Sequence, residues 1–106
     1  MFQIAATITR FVREHQPNIV SCSFHDFHGV EWTFEDKDAM FTTEYMDERS
    51  DYPRPGIIGC EIVERGTDWA GNEFVEVDTE LPWHLESTTG ETRFRVRPDQ
   101  LTEYDS

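Results

Sequence analysis

Long apolar runs are missing from this 106-residue sequence, and nothing approaches the ~18 consecutive apolar residues that a membrane-crossing helix requires. Its first residues, MFQIAATITRF, lack a basic start followed by an extended apolar segment, so no secretory leader is read there and a soluble, cytoplasmic protein with no membrane partner is expected. Cysteine is scarce. Cys22 and Cys60 are too few for a disulfide framework, although one bridge between them stays open, and a reducing compartment fits best. Lysine is nearly absent: Lys37 stands alone beside eight arginines, and these nine bases face 22 acids for a formal charge of −13. A field of that sign repels phosphate backbones, which disfavours nucleic acid as a partner. It fits solubility, a salt-adapted proteome or a basic protein partner. Catalytic signatures are missing too. The sequence contains no GxSxG elbow, CxxC, HExxH, phosphate loop or dinucleotide fingerprint, so we expect no enzyme, no cofactor and no metal site.

Eight Phe, three Trp and three Tyr are spread along the chain, which argues against disorder. A chain of this length buries roughly two thirds of its unfolded surface as one domain, here residues 1–106. Helical periodicity is rare and alternation with period two is common. Strands are therefore expected at 2–9, 19–25, 30–36, 57–65, 73–79 and 92–97, with a short one at 81–85. Residues 13–18, centred on Pro17, read as a turn, and 101–106 as a frayed tail. Residues 37–55 form a long irregular surface excursion, because the apolar positions of DAMFTTEYMDERS suit neither a helix nor a strand. YPRPG closes it, and strand pairing should restart after Gly56.

Three segments share a form: Asp26-Phe27-His28-Gly29, Asp68-Trp69-Ala70-Gly71 and Ser87-Thr88-Thr89-Gly90. Each begins with a side chain able to bond nearby backbone and ends with a glycine free to take positive φ, as short hairpin loops require. The class that follows is all-β: a small antiparallel six- to seven-stranded barrel with one long surface excursion.

CSFHDFHG, residues 22–29, looks like a metal site. Placing Gly29 in the left-handed region sets Asp26 against Val30, and the register follows. Phe24 faces Trp32 and Cys22 faces Phe34 on an apolar side; His25 faces Glu31, Ser23 faces Thr33 and Ser21 faces Glu35 on a solvent side. Cys22, His25 and His28 then point to three different places, whereas zinc needs ligands converging within ~2.3 Å of one point.

Other residues carry a binding potential. Arg93, Arg95 and Arg97 alternate on one face of the last strand, where they can pair with acids such as Glu76, Asp78 or Glu86, or recognise a carboxylate or phosphate. In ELPWHLES, pairing of Trp83 with Phe94 and Leu81 with Val96 would make the tryptophan core and turn His84 toward Arg93. Trp69 lies in a tight turn where an indole is hard to bury, so it suits partner anchoring. Cys60 has no adjacent base to activate it.

The second half, with its Pro55-Gly56 entry, Asp68 to Gly71 hairpin, PWxxES segment (Pro82, Trp83, Glu86, Ser87) and final strand from Phe94 to Val96, resembles small uncharacterised bacterial proteins. That resemblance implies a compact β-barrel similar to the β domains of translation elongation factors, and it implies no activity. The expected function is a non-catalytic acidic interaction module for a basic protein partner, an inhibitor or immunity-type protein being its concrete form, with Asp47, Glu48, Asp51 and Trp69 as contact residues. The alternative is a small-ligand or metal-binding barrel that uses Arg93, Arg95, His84 and His25.

Overall fold

In the computed structural model, which describes residues 1–14 and 18–103, seven strands form a single antiparallel sheet curled into a half-barrel. They are β1 (Phe2–Arg13), β2 (Ile19–His25), β3 (Glu31–Lys37), β4 (Arg54–Thr67), β5 (Glu73–Asp78), β6 (Arg93–Val96) and β7 (Leu101–Glu103). The order across the sheet is β3-β2-β1-β4-β5-β6, with β7 paired to β1. No helix among the described residues is long and apolar enough to cross a membrane.

Alternating side chains explain the core. Ile4 and Ile8 of β1, Val20, Cys22 and Phe24 of β2, Phe34 of β3, Val75 and Val77 of β5 and Val96 of β6 are all buried on the concave side. Phe94 of β6 closes the open side of the curl: its ring lies 5.3 Å from Phe24, 5.1 Å from Trp32 and 5.8 Å from Phe34. Two backbone bonds reinforce that closure, Phe27 N–H to the Arg95 carbonyl at 2.7 Å and Thr88 N–H to the Thr33 carbonyl at 2.8 Å.

The β2–β3 register is the one expected, from His25 opposite Glu31 to Ser21 opposite Glu35. One feature differs. Ser21 and Ser23, expected on a solvent face, are buried. Ser21 lies between Arg10 on β1 and Glu35 on β3 in the ladders, and the Arg10–Glu35 ion pair at 3.3 Å spans it. Long neighbours thus roof over a small hydroxyl on a central strand.

Other boundaries moved for identifiable reasons. β1 continues to Arg13, four residues past its expected end, and the remainder of the expected turn at residues 15–17 lies outside the described residues. Pairing resumes before Gly56 and not after it, since Pro55 and Gly56 already stand opposite Thr7 and Ala6. Glycine is required there: a Cβ at position 56 would meet Ile8 Cγ1 at 2.8 Å. The expected frayed tail instead contributes β7, which pairs Leu101 to Glu103 with Ile4 to Phe2, while 104–106 lie outside the described residues.

The excursion between β3 and β4 opens with a 3-10 turn, Asp38–Met40, and sends Phe41 and Met46 into the core with no exposed surface. Its loop is held to the sheet by Ile57 N–H bonding the Phe41 carbonyl at 2.9 Å. The buried Asp38 carboxylate accepts the Met46 N–H at 3.1 Å, and the Asn18 amide donates to the Met46 carbonyl at 3.0 Å.

No strand forms at 81–85. β6 pairs with β5, matching Val77 to Phe94 and Val75 to Val96, so the expected partnership of Trp83 with Phe94 and Leu81 with Val96 is not made. Residues between these strands form a loop pinned by Thr79, whose hydroxyl donates to the Leu85 carbonyl at 2.7 Å. Leu85 fills the core, whereas Trp83 is half-exposed and lies over Gly59.

Candidate functional site

The three turns are built alike. In each, the first residue's side-chain oxygen accepts two backbone N–H groups: Asp26 Oδ1 from His28 and Val30, Asp68 Oδ1 from Ala70 and Asn72, and Ser87 Oγ from Thr89 and Glu91. The closing glycines take φ of 80°, 87° and 86°. Such self-contained bonding lets a tip project without help from neighbouring elements.

Two of these tips, 26–29 and 68–71, face each other beside a second 3-10 turn, Pro98–Gln100. Between them lies a cleft of about 720 Å³ walled by Phe27, His28, Asn72, Glu73 and Pro98. It adjoins two further depressions. A trough of about 620 Å³ crosses small residues of β1 and β2 (Ala5, Thr7, Thr9, Ser23) and shares Arg97 and Asp99 with the cleft. A pocket of about 360 Å³ beside Arg65 and Phe74 shares Glu73 and Pro98 with it.

Charge on this surface is mixed. Arg97 Nε bonds Asp99 Oδ1 at 3.0 Å, and His25 Nε2 lies 3.7 Å from Glu31. The backbone N–H of Asn72, helped by the Asn72 side chain and the Ala70 and Gly71 amides, holds the Asp68 carboxyl below its ordinary range. At the outer rim Trp69 is 99% exposed, the most open large apolar side chain among the described residues.

The residues singled out from the sequence occupy different places. Asp47 is half-buried and serves its own loop, its carboxylate accepting the Arg49 N–H at 2.8 Å and lying 3.3 Å from the Ser50 hydroxyl. Glu48 and Asp51 are exposed. These three precede β4 and Trp69 follows it, so they stand at opposite ends of a 14-residue strand and form no common patch.

The arginine stripe is answered by acids across the strand pair. Arg93 lies 3.7 Å from Glu76 and 3.6 Å from Asp78, and Arg95 lies 3.6 Å from Glu76 with its guanidinium 4.2 Å above the Phe74 ring. His84, expected toward Arg93, instead places Nδ1 3.2 Å from Glu80. The misassigned β6 partner is the reason. Arg93, Arg95, His84 and His25 therefore do not converge: His25 borders the trough, His84 borders a separate cavity near Glu86, and neither arginine lines any described cavity.

Cys22 is buried, while His25 and His28 are exposed. Among the described residues no three His, Cys, Asp or Glu side chains are grouped to hold a metal ion. Both cysteines are free, and burial pushes each thiol up to about 12.

Sequence reasoning passed over Phe27, Glu73, Arg97 and Asp99 as contributors to one surface. The signal for Phe27 was visible: an aromatic in a turn whose other residues are Asp, His and Gly. Nothing in the spacing showed that the Pro98 turn would lie beside two hairpin tips. Comparison with protein-family models, with curated proteins and with solved structures found no match to this chain.

Proposed function

We propose that this chain is a non-catalytic interaction module that recognises a basic protein partner, in the manner of an inhibitor or immunity-type protein. One observation carries the reading. Trp69 is fully exposed on a turn that is already complete without it, on a chain of formal charge −13. An indole held in water gains on the order of 4 to 6 kcal/mol, before ordering costs, when a partner covers its ~200 Å². Acidic neighbours steer a basic partner toward it. Glu48 and Asp51, at the far end of β4, supply long-range attraction and not direct contact with the same patch.

Site-specific photocrosslinking from position 69, run in source cells beside crosslinking from an exposed position of the excursion such as Thr43, tests this. The expected product is one basic protein captured from position 69 and lost as salt rises toward about 0.5 M, where screening acts within a few ångströms. Capture of no discrete protein, together with a several-degree rise in melting temperature on adding divalent metals or anionic metabolites, would transfer support to a small-ligand barrel.

A further inference from the structure

We propose that the cleft between the 26–29 and 68–71 turns receives an arginine side chain from an extended basic segment of the partner. This rests on the interaction-module reading and deepens it by naming the surface and the chemistry of its occupant.

Shape is the first argument. The trough, the cleft and the pocket are contiguous around the Pro98–Gln100 turn, since Arg97 and Asp99 border the first two and Glu73 and Pro98 the last two. A chain of connected shallow depressions suits an extended peptide, whereas a compact metabolite is usually enclosed on most sides.

Charge is the second. Along this path lie the carboxylates of Glu31, Asp68, Glu73 and Asp99 against the guanidinium groups of Arg65 and Arg97. Arg97 is occupied by Asp99. Glu73 borders both the cleft and the pocket, and its carboxylate makes no hydrogen bond or ion pair among the described residues. Asp68 spends Oδ1 on two backbone amides, leaving Oδ2 with only the Asn72 amide at 3.3 Å. Both acids are open to an incoming cation.

Aromatic surface is the third. Phe27 walls the cleft and Trp69 follows Asp68 at its rim. A planar guanidinium stacks on a ring while its edge forks to a carboxylate, which a lysine ammonium cannot do. The same molecule already contains that arrangement next door. Arg95 lies 4.2 Å over the Phe74 ring with Glu76 at 3.6 Å, and the Phe74 ring is 5.8 Å from Phe27. An incoming arginine would extend this row by one step.

A capped peptide of alternating arginine and glycine, with its lysine counterpart, tests the proposal by calorimetry and by amide and indole shifts in NMR at low salt. Expected are saturable binding, shifts confined to the cleft and its two adjoining depressions and largest at Phe27, His28, Glu73 and the Trp69 indole, and several-fold weaker binding of the lysine peptide. Glu73→Gln and Trp69→Ala should each weaken binding on the order of tenfold, and Glu48→Gln less than about twofold. Both altered side chains are exposed, so unchanged melting curves will show that the fold is intact. Binding equal in all variants, with shifts spread over every acidic loop, would overturn the cleft and leave the interaction module standing. Absence of saturable binding would overturn the cleft as well, and capture from position 69 would then decide the parent reading separately.

Discussion

The Trp32 indole N–H donates to Asp26 Oδ2 at 2.8 Å, while Asp26 Oδ1 takes the His28 and Val30 amides. One buried carboxylate thus ties a hairpin turn to the core aromatic that packs on Phe94. Removing it takes the acceptor from three partly buried donors. Asp26→Ala should cost about 3 kcal/mol, whereas Trp32→Phe, which removes only the indole bond and little ring volume, should cost about 1. Urea unfolding of both variants measures this. Equal losses would show that the turn does not depend on the carboxylate.

The Asp68 turn has the same bonding at a residue that is not buried, which gives a comparison. Asp68 is partly exposed and its carboxyl titrates below its ordinary range, because the charged form is hydrogen-bonded. A lowered folded value contributes stability above the unfolded value and loses it as pH falls through the folded one. Asp68→Asn should therefore flatten the acid side of the stability profile by removing that increment at neutral pH while leaving stability at the acid end nearly unchanged, a difference read from melts between about pH 2 and 7.

Much of the first hairpin was legible because two independent signals agreed there, the apolar/polar alternation of β2 and β3 and the Asp-to-Gly turn that fixes their offset. At Trp83 only one signal existed. A proline, a tryptophan and a Ser-to-Gly turn looked like a hairpin arm, but β6 is claimed by β5, where Asp78 meets Arg93 and Glu76 meets Arg95. Burial of Val75, Val77, Phe94 and Val96 in that register, with the ion pairs beside them, outweighs proximity in the chain. The cleft was illegible for a related reason: it is made by turns from three distant segments, and no local period encodes their meeting.

The excursion illustrates burial without periodicity. Phe41 and Met46 have no exposed surface although their segment is neither helix nor strand. Each Ala substitution should cost about 2 to 5 kcal/mol, as for core positions in regular elements. A loss below about 0.5 kcal/mol in denaturant melts would mean that the loop docks weakly and its apolar contacts add little.

Burial of the two thiols sets a second pH dependence, at the alkaline end. Cys22 and Cys60 rise from 9.0 to about 12 because the thiolate is excluded from the core. Below pH 9 both states keep the proton and nothing changes. Above it the unfolded thiols ionise first, so stability falls as pH climbs from 9 toward 12, by about 1.4 kcal/mol per thiol at pH 10. Stability curves between pH 8 and 10.5 should show this slope, reduced in Cys22→Ala. Native thiols should also resist a thiol reagent at pH 8 that labels the unfolded chain rapidly.

Trp69 separates folding from recognition. With 99% of its surface in water it contributes no packing, and Trp69→Ala should change stability by less than about 0.5 kcal/mol. Fluorescence gives the complementary measurement, because Trp32 and Trp83 are partly covered and Trp69 is not. Collisional quenching should be dominated by Trp69, and on a chain of formal charge −13 the caesium-to-iodide quenching ratio should exceed that of a free indole. That ratio should fall toward the value for a free indole as salt screens the field. A caesium-to-iodide ratio equal to that of a free indole at low salt would mean that the charge near the indole is balanced, and electrostatic steering toward position 69 would lose its basis.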